Sequence, residues 1–154
     1  MSEPNESNGY ELSVTRYIDA PPEKVWDVMT NRTEEWWCPK PWRAEVVEQQ
    51  WRPGGRSCIR MHGPDGEEVL GEGVFLEVSP GKRFVFTDAV DHQWLPQNPF
   101  MIGVMEIARE GSGTRFTGSA RHWSEEAFKQ HKAMGFEEGW AAMAAQLAEL
   151  AEGR

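Results

Sequence analysis

Residues 136–150 read FEEGWAAMAAQLAEL, and Phe136, Trp140, Met143, Leu147 and Leu150 recur at steps of four, three, four and three. That spacing draws one apolar seam down a helix. The helical stretch is marked upstream by Ser124, a good N-cap, with Glu125 and Glu126 at the positive end of the dipole. Trp123 and Phe128 occupy the two positions of a hydrophobic staple. A single long C-terminal helix is therefore expected. Gly135 and Gly139 lie within it, each costing about 1 kcal/mol relative to Ala, which close approach to a sheet would offset.

The preceding hundred residues read as short strands between turns. Tyr10–Asp19 alternates Leu12, Val14 and Ile18 against Ser13, Thr15 and Tyr17. Pro22 suits the first turn of a helix carrying Val25, Trp26 and Met29. Asn31 with Glu34 resembles a capping box for a second short helix bearing Trp36 and Trp37. Strands are then predicted over 45–51, 56–62, 67–78, 83–88, 100–109 and 114–123. Their separators, such as Arg52-Pro53-Gly54-Gly55 and Gly63-Pro64-Asp65-Gly66, have the chemistry of tight turns. The pattern predicts an α+β fold, a curved antiparallel sheet of about seven strands wrapped around the terminal helix.

Composition narrows the function classes. The chain of 154 residues suits one domain, expected over 10–154, with a flexible lead-in at 1–9. Its net charge of −9, without a basic stripe, argues against nucleic-acid and anionic-membrane partners. No stretch approaches the roughly 20 apolar residues of a membrane span, and Met1–Gly9 lacks the pattern of a signal peptide. Cys38 and Cys58 sit in no CxxC and read as reduced thiols of a cytoplasmic protein. Asp88, Asp91 and His92 fit no metal-ligand spacing, and no serine has a nucleophile elbow, so neither metal nor cofactor is expected. Eight Trp residues suit a thick core, a pocket or an interface.

The order of elements and the residues at their joints resemble the START-like, birch-allergen-like helix-grip superfamily (SRPBCC). The branch most similar is that of the C-terminal domain of the heat-shock ATPase activator. The resemblance rests on Asp19-Ala-Pro-Pro-Glu-Lys-Val-Trp26, Trp36-Trp37-Cys38-Pro39, Arg52-Pro-Gly-Gly55 and Pro64-Asp-Gly66. It continues through Gly73-Val-Phe-Leu-Glu-Val-Ser-Pro80, Arg83-Phe-Val-Phe-Thr87, Gly113-Thr-Arg-Phe-Thr117 and Gly135-Phe-Glu-Glu-Gly-Trp140. It implies a helix-grip fold from about Tyr10 onward. Family members range from ligand carriers to cyclases, so it implies no single activity. Cys38 stands where the pattern carries Gly, which points to a different shape at that corner.

Turn lengths predict which residues share a face, because a strand alternates sides at every residue. A four-residue turn at 63–66 would pair Met61 with Glu68, Ile59 with Leu70 and Ser57 with Glu72, continuing to Val74 and Leu76. A turn at 110–113 would pair Ile107 with Phe116, Met105 with Gly118, Gly103 with Ala120 and Met101 with His122. These more apolar faces are expected to look inward. A pocket lining would then draw Ile59, Met61, Leu70 and Val74 from the first set. Met101, Met105 and Phe116 would come from the second, with Trp37 and Trp140 added by the helices. Gly103, Gly118 and Ala120 leave room that either Trp140 or a ligand would fill.

Glu72 is the sharpest chemical candidate, since a carboxylate on an apolar face must be paired, hydrogen-bonded or protonated. His122 closes the other inward face and would meet Glu72 in a shared cavity as an acid/base partner. Three functions follow. The leading expectation is binding of an apolar or aromatic small molecule between the sheet and the C-terminal helix. The alternatives are a cyclase, dehydratase or hydrolase acting on an aromatic or polyketide-like substrate, and a co-chaperone-like docking module. The last would use an exposed patch around Trp36, Trp37 and Trp42, a patch that also suits a homodimer.

Overall fold

The computed structural model describes residues 9–153, so the expected lead-in lies, Gly9 apart, outside the described residues. In chain order the elements are β1 (Glu11–Ile18), α1 (Pro22–Asn31), α2 (Thr33–Trp36), β2 (Arg43–Gln49), β3 (Arg56–His62) and β4 (Glu68–Ser79). There follow β5 (Arg83–Thr87), β6 (Met101–Glu110), β7 (Gly113–His122), α3 (Glu125–Ala133) and α4 (Phe136–Ala151). The strands form one seven-stranded sheet in the order β1-β7-β6-β5-β4-β3-β2. All pairings are antiparallel, and β1 returns to pair with β7 along its whole length. Register shifts between Val46 and Glu48 and between Phe75 and Glu77 mark bulges that bend the sheet.

The helical details depart from expectation in three places. The long terminal helix is two helices, because Gly135 at φ 88° takes a left-handed conformation that side chains disfavour. Ser124 does cap α3, its hydroxyl accepting from the Ala127 N–H at 3.1 Å. The capping box at Asn31 is absent: Asn31 donates to Asp27, and the Glu34 carboxylate instead accepts from the Val46 N–H of β2 at 2.8 Å. Gly139 approaches nothing, since a Cβ there would meet no atom within 4 Å.

The seam of α4 packs onto the sheet as its spacing required. Met143, Ala144, Leu147, Ala148 and Ala151 share one buried cluster with Phe75, Phe84, Met105, Ile107 and Phe116, while Phe136 is buried beside Trp140 and His131. The room left by the small residues is taken by rings. A Cβ on Gly118 would come within 3.2 Å of the Trp140 ring, and one on Gly103 would collide with Phe86. Trp36 is fully buried and stacks edge-on with Trp37 and Phe116, while Trp37 and Trp42 are partly buried. The expected exposed patch at Trp36, Trp37 and Trp42 is therefore a piece of core.

Because Gly139 sits in a helix interior with open space around it, Gly139→Ala should stabilise the fold by about 0.5–1 kcal/mol. Urea unfolding of the two proteins measures this directly; a destabilised variant would overturn the open surroundings assigned to Gly139.

Candidate functional site

The register of β3 and β4 decides the site. The last pair before their turn is His62 with Glu68, which leaves five residues, Gly63 to Glu67, in the connection. An odd number in place of four shifts the pairing by one and turns β4 over. Ser57 pairs with Gly73, Ile59 with Gly71 and Met61 with Val69. The inward residues of β4 are thus Gly71, Gly73 and Phe75. Leu70, at 50% exposure, faces solvent, and so does Leu76. Val74 is buried, but it shares its pairing level with Arg56 and Thr87 and lines no pocket wall.

A cavity of about 140 Å³ lies against this stretch of the inner face. Trp37, Phe86, Ile59, Met61 and Met101 supply its apolar wall. Ser57, Glu72 and Asp88 also line it, with Thr87, whose hydroxyl donates to the Met101 carbonyl at 3.1 Å. Gly71 leaves room: a Cβ there would touch only the Ile59 carbonyl at 3.5 Å and the Met61 methyl at 3.9 Å. Gly73 serves close approach, because a Cβ would collide with the Thr87 backbone. The hollow therefore sits toward β3 and β4, under Trp37 at the end of α2, and not beneath α4. Of the residues expected to line it, Trp37, Ile59, Met61 and Met101 do. Met105 and Phe116 belong to the solid core, and Trp140 stacks with Phe136 at 4.5 Å over Gly118.

Glu72 falls on the outer face at the Cys58 level and is also among the residues that line the cavity. Its carboxylate takes a bidentate pair from Arg56, the closest contact 2.8 Å, and Arg56 also bonds Glu48 at 3.1 Å. His92 stands 3.6 Å away. Burial pushes the Glu72 carboxyl up. Hydrogen bonds from Arg56 and Cys58, with the charges of Arg56 and His92, outweigh that and hold it below the ordinary value. It is an ionised structural partner rather than a protonated acid. The thiols are inert by the same physics: burial raises Cys58 and pushes Cys38 up to about 11. Among the described residues, no cluster of three or more potential metal ligands occurs.

His122 lies at the far side of the sheet from Glu72, across β5 and β6, and does not share the cavity. Its Nδ1 lies 2.7 Å from the Tyr10 carbonyl and its Nε2 lies 2.9 Å from Nδ1 of His131. A carbonyl only accepts, so Nδ1 of His122 carries the proton, and with both rings neutral Nε2 accepts from His131. Phe100, Phe128, Phe136 and Trp140 surround the two rings. This pair joins the start of β1, the end of β7 and α3. His131 gives no sequence signal, because nothing in its spacing marks it as a partner of a strand residue.

A curved antiparallel sheet closing on a C-terminal helix defines the helix-grip class. A family model described as Activator of Hsp90 ATPase homolog 1-like protein matches residues 19–152, and the chain belongs to that family. A solved protein from Nitrosomonas europaea is 34% identical, over 95% of this chain and 97% of its own, with a TM-score of 0.89. One from Mycobacterium smegmatis is 29% identical, over 97% and 95%, with a TM-score of 0.79. A solution structure from Arthrobacter aurescens, 23% identical over 99% and 92%, shares the fold at a TM-score of 0.82. No curated protein matches the chain.

The His131 environment sets an acid limit. Burial, with the neighbouring His122 charge, lowers its pKa from 6.5 to about 4. The folded state therefore resists protonation that the unfolded chain accepts. Stability is full above pH 6.5 and is lost as the pH falls toward 4, by on the order of 1–3 kcal/mol. Urea midpoints measured between pH 7.5 and 4.5 should fall in wild type. The fall should be shallower in His131→Gln, which keeps a donor for His122 but cannot titrate; equal slopes would locate the acid sensitivity elsewhere.

Proposed function

We propose that this protein binds a small apolar molecule of about one ring in the cavity beneath Trp37. The observation that carries the proposal is an unfilled hollow in an otherwise ring-filled interior. Its volume of about 140 Å³ compares with the roughly 150 Å³ of an engineered apolar cavity that accepts benzene. Two thioethers, Met61 and Met101, give a lining that adapts to shape. The fold family commonly binds hydrophobic ligands, which supports the same reading. Catalysis is less favoured, because the expected acid/base pair is split: Glu72 is committed to Arg56, and His122 to Tyr10 and His131. The setting we propose is the cytoplasm, in keeping with two free buried thiols. Among the described residues no helix is long and apolar enough to cross a membrane.

Toluene is the simplest probe. At about one hundred times its Kd it should stabilise the wild-type protein by about 2.7 kcal/mol. Gly71→Ala should fold normally, since its Cβ meets only ordinary contacts. Gly71→Leu should occupy the hollow and erase the ligand-induced shift in Tm while leaving the protein folded. A wild-type protein indifferent to every single-ring hydrocarbon would end this reading.

A further inference from the structure

β4 is longer than its neighbour β5, and the two pair only from Val74 onward. Residues Glu68–Gly73 therefore have β3 on one side and no strand on the other. The segment after β5 runs past this open edge, where the Gln97 amide donates to the Glu72 carbonyl at 2.8 Å. A groove lined by Leu70, Gln97 and Asn98 lies here and shares Gly71, Glu72 and Asp88 with the cavity. Asp88 thus stands where the apolar hollow meets the outside.

The Asp88 carboxylate is fixed and half-used. Its Oδ1 accepts from the Phe100 and Met101 N–H groups at 2.9 and 3.3 Å, while Oδ2 has no partner among the described residues. Across the cavity wall the Ser57 hydroxyl is likewise unpartnered, and neither atom is sealed from water or ligand. No Lys, Arg or His lines the cavity. The guanidinium at the neighbouring pairing level, Arg56, spends its donors on Glu72 and Glu48. Trp37 and Phe86, with ring centroids 5.5 Å apart, both line the same space.

Resting on the binding reading above, we infer that the cavity selects small amines: one ring or a short branched tail inside, and a primary ammonium group held by Asp88. The ammonium gains a charge-assisted hydrogen bond by donating to the Asp88 carboxylate. A carboxylic acid of the same size would set its anion against Asp88 with no cation to meet it. A plain hydrocarbon fills the hollow and leaves Asp88 and Ser57 to water.

Calorimetry at pH 7 with benzylamine, benzyl alcohol, toluene and benzoate, matched in size, tests this. Benzylamine should bind about tenfold or more tighter than toluene, benzyl alcohol should fall between them through Ser57, and benzoate should not bind. Asp88→Asn keeps an oxygen for the two backbone N–H groups and should bring benzylamine down to the level of benzyl alcohol without altering toluene. Ser57→Ala should reduce benzyl alcohol to the level of toluene. Benzylamine and toluene binding equally, benzoate binding as well as benzylamine, or an amine preference surviving Asp88→Asn would each overturn the inference. Should Asp88→Asn not fold, the wild-type order decides. Failure of all four probes, toluene included, sinks the cavity reading itself rather than the head-group assignment.

Discussion

Five residues between His62 and Glu68 set which side of β4 looks into the protein, and the interior depends on that parity. With an odd connection, Gly71, Gly73 and Phe75 turn inward and Glu72 turns outward. The consequences run in both directions through the sheet. Outside, Glu72 meets Arg56 and its charge is satisfied by a bidentate pair. Inside, two glycines replace what would have been Glu72 and Leu70, and space opens opposite Ile59 and Met61. With the opposite parity a carboxylate would be buried on an apolar face, at a cost of several kcal/mol unless it found a partner.

The space survives because the rest of the core is saturated. Protein interiors pack as densely as organic crystals, so a hollow persists only where no neighbouring side chain can reach. Trp140 over Gly118 and Phe86 over Gly103 show the usual outcome, a ring inserted wherever the sheet offers a missing side chain. Near Gly71 the available rings are already engaged. Trp37 is tied to Trp36 and Phe86, and the corner carrying it is pinned by Gln146, whose amide donates to the Trp36 and Cys38 carbonyls. The helix that grips the sheet thereby also holds the aromatic wall of the cavity in place.

Polar chemistry is likewise distributed by topology. Two groups that stand alone in sequence, His122 and His131, become one unit because α3 folds back over the end of β7. Two groups imagined as one site, Glu72 and His122, are held apart by the two intervening strands. The cavity's own polar atoms come from residues without any motif: Ser57 in mid-strand, Thr87 and Asp88 where β5 ends.

The architecture was legible in the residues themselves. The seam from Phe136 to Leu150, the turn chemistry between strands and the motifs from Asp19 to Trp140 determined seven strands around a C-terminal helix. The Ile107–Phe116 and Met101–His122 pairings followed from a tight turn at 110–113. The break at Gly135 and the location of the hollow were not legible. Periodicity reports which face of an element is apolar, but a one-residue change in a turn inverts a strand without altering its pattern. Whether a small residue leaves room depends on which distant ring arrives to fill it. Local sequence therefore decided the elements and their order, while only the tertiary packing, a contest among rings for space on the sheet, decided where the protein is empty and which polar atoms face that emptiness.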